Sequence, residues 1–180
     1  MTDTATQAQM VHLPAAALTA LHRVLSQDRS PAEAAAVTRQ MGFETGESFY
    51  SAFRDWLGSE PSGLGADEFW ERFAAFFASL GWGRLRFERS HPGVAELSSD
   101  EWAEAEPGSQ ARQPTCHFTT GLLADLLGRV SGDRLAVLEV ECRSRGDERC
   151  RFALGGAEAL RQIYERIRDG DSFQVAVEAL

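Results

Sequence analysis

The chain has 180 residues, of which 43% are hydrophobic and 25% charged, a balance typical of a globular domain with its own core. Its net charge of −9 argues against direct nucleic-acid binding, which requires clustered cations, because the arginines here are interleaved with acids. Every basic residue is arginine, so the lysine-dependent chemistry of P-loop nucleotide hydrolases and pyridoxal enzymes is excluded.

The sequence contains no targeting or membrane signal that these criteria recognise. No stretch approaches the apolar length of a membrane span. The first residues, MTDTATQAQM, lack the basic and apolar regions of a secretory signal and are predicted to be disordered. We therefore expect a cytoplasmic protein without a membrane span.

The N-terminal third is predicted to be helical. Apolar residues recur on one face of 14–26, which predicts a first helix. The motif SPAE then places Ser30 as N-cap, Pro31 at the first helical position and Glu33 to complete a capping box. This second helix is predicted to continue to Leu57, with a weak point at Gly42 or Gly46.

A glycine-rich and proline-containing stretch, GSEPSGLG at 58–65, predicts a loop and an internal boundary. The following segment, ADEFWERFAAFFASLG, carries an apolar stripe at helical spacing, which indicates a helix that ends at Gly81. The simplest interpretation of this stripe is core packing, and it comprises Phe69, Phe73, Phe76, Phe77 and Leu80.

The middle of the chain alternates in a way that predicts short strands. In residues 82–90, Leu85 and Phe87 lie opposite charged neighbours, which predicts a half-buried strand. GVAELS at 93–98 and EWAEAE at 101–106 are predicted as two further strands. The acidic residues of the latter segment are predicted to form a solvated face; they are Glu101, Glu104 and Glu106.

The last third is predicted to contain a helix, a hairpin and a helix. Residues 114–132 have a helical apolar face, and 133–144 and 148–155 read as paired strands around Gly146 and Asp147. Residues 157–170 are amphipathic. Because strands do not alternate regularly with helices, the order predicts an α+β fold with an antiparallel sheet.

The cysteines of this hairpin suggest a metal site. Cys142 and Cys150 fall opposite each other across the turn, where side chains are about 4.5–5.5 Å apart at Cβ. Cys116 lies at a predicted helix start, which favours a thiolate. A fourth ligand is needed, and spacing alone leaves Glu139, Glu141 and His117 open. Either glutamate faces away from the cysteines in a regular strand, so a β-bulge near Val140 would be required.

The alternative for these residues is three buried small hydrophobes, a common role of free cysteine. Three thiolates and a carboxylate suit zinc best among the common metals. Four protein ligands would close the coordination sphere and leave no position for water. The spacing therefore favours a structural zinc over a catalytic one, and we favour no enzymatic activity.

The stretch from Cys116 to Phe152 resembles the vinyl-4-reductase domain family. The shared signature is a cysteine, then Glu-x-x-Cys, then a Gly-Asp turn followed by a further cysteine. The similarity is strongest to the effector-sensing domains of bacterial activators that respond to phenol and xylene. In zinc-binding members these residues hold the metal, which implies the ligand set Cys116, Glu139, Cys142 and Cys150.

The resemblance also implies an architecture. The fold would be the one shared with small TRAPP subunits, with a pocket for an apolar ligand between sheet and helices. The N-terminal helices would form a homodimer. We accordingly divide the chain into a helical dimerisation segment (1–60), a zinc-containing ligand-binding domain (61–170) and a C-terminal tail (171–180).

The resulting hypothesis is a bacterial sensor or carrier of a small hydrophobic molecule, aromatic or tetrapyrrole, read by a regulatory protein partner. The dense supply of aromatic residues suggests that some line the pocket, and the candidates are Phe73, Phe77, Trp82, Phe87, Trp102 and Phe118. Two alternatives stay open: an accessory protein or reductase-like enzyme of bacteriochlorophyll metabolism, and a TRAPP-like protein adaptor.

Overall fold

A computed structural model describes residues 10–11 and 13–180. The predicted disordered segment 1–10 therefore lies outside the described residues except for Met10. The described residues form six α-helices and four strands, which confirms the α+β class. The helices are α1 (Ala16–Leu25), α2 (Pro31–Leu57), α3 (Ala66–Ser79), α4 (His117–Ser131), α5 (Ala157–Arg168) and α6 (Phe173–Glu178). The strands are β1 (Arg86–His91), β2 (Val94–Ser99), β3 (Ala136–Glu141) and β4 (Cys150–Gly155).

The four strands form one antiparallel sheet in the order β1-β2-β4-β3, so β1 and β3 are its edges. Leu97 and Phe152 project from one face into a large core shared with α2, α3 and α4. Ala153 projects from the other face into a smaller core formed with α5 and α6. The alternation of side chains along each strand thus buries both faces of the sheet.

The helix predicted from SPAE begins and ends where the sequence indicates. Ser30 accepts a hydrogen bond from the Glu33 amide, and the Glu33 carboxylate accepts one from the Ser30 amide. The expected weak point at Gly42 or Gly46 is wrong, because α2 runs unbroken from Pro31 to Leu57. Both glycines are buried contacts with α4, where a larger side chain would meet that helix.

Helix α3 confirms the predicted phenylalanine stripe. Phe69, Phe73, Phe76 and Phe77 are all buried in the large core. Their rings pack edge-to-face, tilted or stacked with centroids 4.9–5.5 Å apart for successive pairs in contact, arrangements that aromatic quadrupoles favour.

Two segments differ from the expectation. EWAEAE is not a strand but part of an irregular connection between β2 and α4, because Trp102 and Glu104 are both buried there. The segment assigned as a C-terminal tail contains α6, whose Phe173, Ala176 and Val177 are buried in the smaller core. Among the described residues, no helix is long and apolar enough to cross a membrane.

Candidate functional site

Four side chains from three parts of the chain converge at one buried point. Cys116 stands immediately before α4, Glu139 lies on β3, Cys142 follows β3, and Cys150 begins β4. One donor atom from each lies within 4.8 Å of the others. All three cysteines are free and fully buried, and Glu139 is 7% exposed. The described residues thus contain a cluster of three cysteines and one glutamate, here called the cysteine–glutamate cluster, that could hold a metal ion.

A β-bulge in β3 brings Glu139 onto the same side as the cysteines. Glu139 pairs with Phe152 of β4, whereas Glu141 pairs with Arg151, so the register shifts by one residue between them. Val140 is the extra residue, and it turns into the smaller core instead. The irregularity required by the sequence spacing is therefore present at the position expected for it.

The two oxygens of Glu139 have different surroundings. Oε2 accepts a hydrogen bond from the Cys116 amide at 2.8 Å, which ties β3 to the start of α4. Oε1 is buried and has no hydrogen-bond partner among the described residues. A buried carboxylate oxygen without a partner is costly unless something else satisfies it. This atom is therefore free to serve as a metal ligand.

Hydrogen bonds around the turn hold the cysteines in place. The Asp147 carboxylate accepts from the Cys142 amide at 2.7 Å and from the Arg145 guanidinium. On the other side, the Thr115 hydroxyl lies 3.6 Å from Cys142 Sγ and donates to Ser144 Oγ at 2.8 Å. The turn and the approach to α4 are consequently braced against each other before any metal is considered.

The electrostatics of the cluster favour a cation. Burial raises the pKa of the Glu139 carboxyl and of the Cys116 thiol well above their usual ranges. Hydrogen bonds from the Cys116 and Cys150 thiols lower the pKa of the Cys142 thiol. Several anions cannot be buried together without compensation, and a divalent cation would supply it.

The other two candidates for the fourth ligand are engaged elsewhere. Glu141 forms ion pairs with Arg149 and Arg151 at 3.0 and 3.2 Å, on the opposite side of the strand. His117 is the first residue of α4, and its ring lies 5.8 Å from that of His22. Burial, with the nearby Arg39 and His22, lowers the pKa of His117 to about 4, so the ring is neutral at pH 7.

A separate cleft of about 500 Å³ opens beside the large core, between α3, the β1–β2 hairpin and the end of α4. Its walls are mostly apolar, and Phe69, Trp70 and Phe87 form its aromatic side. Trp70 stacks on Phe87 with ring centroids 4.0 Å apart. We call this space the apolar cleft. Its volume lies within the range of roughly 300–1,000 Å³ that is common for small-molecule pockets.

The comparisons with known proteins identify the region that holds the metal cluster. Residues 98–156 match the vinyl-4-reductase (4VR) domain family. This confirms the resemblance that the spacing of Cys116, Glu139, Cys142 and Cys150 indicated. The match begins in β2, spans α4 and the hairpin, and ends directly after β4. A comparison with curated proteins finds no significant match.

Solved structures share the fold over most of the chain. One is the phenol-responsive sensory domain of the transcription activator PoxR with phenol: TM-score 0.65, 20% identity, covering 83% of this chain and 77% of that one. Another is trafficking protein particle complex subunit 3 from Naegleria fowleri, covalently bound to palmitic acid: TM-score 0.65, 18% identity, covering 78% and 91%. Both show that the vinyl-4-reductase region and the preceding helices adopt one common fold.

A buried carboxylate within the matched region was missed by the sequence analysis. Glu104 accepts hydrogen bonds from the amides of Phe118 and Thr119 at 2.8 Å each, and from the Thr119 hydroxyl at 2.5 Å. It therefore caps α4 from outside, and the expectation of a solvated acidic face is wrong at this residue. Trp102, which donates to the Thr119 hydroxyl at 2.7 Å, was the available signal that this segment turns inward.

Glu104 should make stability depend on pH. Burial raises its pKa to about 7, although the hydrogen bonds from α4 oppose the shift. Between about pH 4.5 and 7 the folded chain retains a proton that the unfolded chain has lost, so the stability that this proton provides disappears as pH rises through 7. We expect Glu104→Gln to remove roughly 3 kcal/mol of this pH dependence.

Urea unfolding of both forms at several pH values measures the effect. The difference in unfolding free energy between wild type and Glu104→Gln should shift in favour of the variant as pH rises. Glu106→Gln, an exposed carboxylate of the same connection, is the matched control and should follow the wild-type curve. Parallel curves for wild type and Glu104→Gln would contradict this role.

The aromatic residues expected to line a pocket are divided by the structure. Phe87 lines the apolar cleft. The other five pack against one another in the large core, with ring centroids mostly within 6 Å. They are Phe73, Phe77, Trp82, Trp102 and Phe118. Phe69, Trp70 and Leu127 line the cleft without having been singled out for it.

Proposed function

We propose that this protein binds a small hydrophobic molecule in the apolar cleft and acts as a sensor or carrier for it. The observation that carries the proposal is the cleft itself: about 500 Å³, walled by aromatic and aliphatic side chains from α3, α4 and the sheet. A surface-accessible apolar space of this size is unfavourable to leave filled with water, and a ligand would offset that cost.

The comparisons support sensing. A neighbour of the same fold is the sensory domain of an activator, solved with phenol. The other neighbour carries palmitic acid covalently. Both of those proteins hold an apolar molecule, and we extend this property to the present chain as part of the proposal.

Zinc is the metal that we propose for the cysteine–glutamate cluster, held by Cys116, Glu139, Cys142 and Cys150. With Zn–S bonds of about 2.3 Å, two sulfurs of a tetrahedral site lie about 3.8 Å apart. Cys116 Sγ lies 3.8 Å from Cys150 Sγ and 4.0 Å from Cys142 Sγ, which fits such a site. When bound, zinc would supply a crosslink, since four protein ligands leave no open position for chemistry.

We also propose that the segment 1–60 mediates a homodimer, which a regulatory protein reads. The support is an incompletely covered α2, where Phe43 is 46% and Trp56 44% exposed. Large aromatic side chains at a helix surface are typical of interfaces. Sedimentation velocity of wild type and Phe43→Asp tests this: a dimer that dissociates in the variant supports it, and a monomeric wild type contradicts it.

A cleft-filling variant tests the binding function. Ala66 is the exposed first residue of α3 and lines the apolar cleft. Ala66→Trp should reduce the affinity for 2-naphthol, a neutral aromatic probe, about tenfold or more, since the indole would occupy the ligand's space. Titration calorimetry measures this, and native mass spectrometry of the protein as purified would report any retained compound.

The matched control is Ala16→Trp, because Ala16 is likewise the exposed first residue of a helix, α1, but lies outside the cleft. It should bind the probe as wild type does. Saturable binding that Ala66→Trp leaves unchanged would place the ligand elsewhere, and the proposal for the apolar cleft would then be abandoned.

A further inference from the structure

The apolar cleft has a charge distribution that the rest of the chain does not share. The protein contains 27 acidic residues and carries a net charge of −9. None of the described residues lining the cleft is acidic, and the one cation among them is Arg89. In a chain this acidic, a binding space without carboxylates excludes cationic ligands and favours neutral or anionic ones.

The pleat of the sheet produces this separation of charge. On β1, Phe87 and Arg89 point to the cleft side, and their partners across the strand pair are Leu97 and Ala95. Glu88 alternates to the other side, opposite Glu96. The acids of these strands therefore lie on the face that does not line the cleft.

The glutamate of β2 is also neutralised on that far face. Glu96 lies 3.2 Å from the Arg151 guanidinium and accepts a hydrogen bond from the Ser90 hydroxyl. Its charge is thereby satisfied by β4 and does not reach around the strand to Arg89. Segregation and pairing together leave the cleft side of the β1–β2 hairpin positive.

Arg89 has no ion-pair partner within the part of the chain that the structure describes. Most guanidinium groups here do have a carboxylate nearby. His91, at the same end of the cleft, accepts the Gly93 amide at Nδ1, so its neutral ring carries the proton on Nε2 and can donate. One fixed cation and one neutral donor thus stand at the end of an apolar space.

We infer that the ligand of the apolar cleft is an apolar acid: a hydrophobic body with a single carboxylate that pairs with Arg89. This inference rests on the proposed binding function and adds the chemical class of the ligand. A planar guanidinium matches a carboxylate with two parallel hydrogen bonds, whereas an alcohol can accept only part of this arrangement. The apolar walls would hold the remainder of the molecule.

Pairs of probes that differ only in the polar group test the inference on the full chain. 2-Naphthoate is compared with 2-naphthalenemethanol, and decanoate with 1-decanol, by titration calorimetry. The acid should bind about tenfold more tightly than its alcohol in at least one pair. The pair that shows the preference tells whether the body is aromatic or aliphatic.

Arg89→Gln should remove this preference, lowering the affinity for the acid about tenfold while leaving that for the alcohol unchanged. Unchanged alcohol binding also shows that the variant is folded. Arg84→Gln, an exposed arginine just before β1 that does not line the cleft, is the matched control and should keep the preference.

The outcomes separate the two proposals. Equal binding of acid and alcohol in both pairs, or an acid preference that survives in Arg89→Gln, overturns the apolar-acid inference and leaves small-molecule binding intact. Failure of all four probes and of 2-naphthol to bind overturns the binding function together with the inference.

Discussion

Replacing Cys142 with serine is expected to lower the thermal unfolding midpoint of the zinc-loaded protein by about 8–16 °C. Loss of a structural metal belongs to the few single changes that cost about 4 kcal/mol or more. For a chain of this size, each kcal/mol corresponds to about 2–4 °C. Removal of zinc from the wild-type protein by a chelator should lower the midpoint by a similar amount.

The size of the effect follows from what the cluster connects. Its ligands come from the start of α4, from β3 and from both sides of the β3–β4 turn. All four side chains are buried, so without the metal their polar atoms face each other with little compensation. A serine hydroxyl replaces a thiolate poorly as a zinc ligand, and the cluster would lose both the crosslink and its charge balance.

The matched pair Glu139→Gln and Glu141→Gln separates the metal from general effects on the hairpin. Both glutamates lie on β3, but only Glu139 belongs to the cluster, while Glu141 pairs with Arg149 and Arg151. Zinc content measured by mass spectrometry, with the unfolding midpoint, should fall for Glu139→Gln and stay near wild type for Glu141→Gln. An unchanged midpoint after complete removal of zinc would rule out a structural metal.

Most of the fold could be predicted because its elements are encoded locally. The phenylalanine stripe of α3 and the capping box at Ser30 depend on residues within a few helical turns. The hairpin around Gly146 and Asp147 is also local, and its antiparallel pairing is observed. Where propensity, periodicity and capping agree, tertiary contacts reinforce the local preference rather than oppose it.

EWAEAE shows where local pattern misleads. Alternation of apolar and acidic residues is typical of a half-exposed strand, and spacing alone cannot distinguish this from a buried connection. The segment turns inward because the amides at the start of α4 need acceptors, and Glu104 supplies them. A helix end more distant in sequence than any local pattern thus decides the conformation.

The cysteines and Glu139 could be assembled from the sequence because a hairpin fixes which residues face each other, and the family resemblance resolved the fourth member. The apolar cleft could not be found in this way. It is a gap between α3, α4 and the β1–β2 hairpin, and its width depends on how these elements pack. Residues such as Arg89 acquire their meaning only when that packing is known.

The second large effect is expected from Gly121→Ala, in the contact between α2 and α4. A Cβ at Gly121 would lie 1.9 Å from the Arg39 carbonyl oxygen and 2.7 Å from the Phe43 amide nitrogen. In return, a Cβ at Gly42 would lie 2.0 Å from the Phe118 carbonyl oxygen. Each helix therefore presents a glycine to the backbone of the other, and backbone atoms cannot move aside as a flexible side chain can.

Alanine at this position would force the two helices apart along their whole contact. Overpacking costs about 1–3 kcal/mol and occasionally more, and here it exceeds the roughly 1 kcal/mol that alanine gains over glycine in helix propensity. We expect Gly121→Ala to lose about 3 kcal/mol of unfolding free energy. Because α4 begins beside Cys116, the displacement should also weaken zinc binding.

Gly128→Ala provides the control within the same helix. Its Cβ would lie 3.1 Å from the Asp133 carbonyl oxygen, a contact that a shift of a few tenths of an ångström relieves. The two variants gain the same helix propensity, so the difference between their urea unfolding free energies isolates the cost of close packing. Comparable stability of the two would mean that α2 and α4 can separate freely, and the glycines would not set their distance.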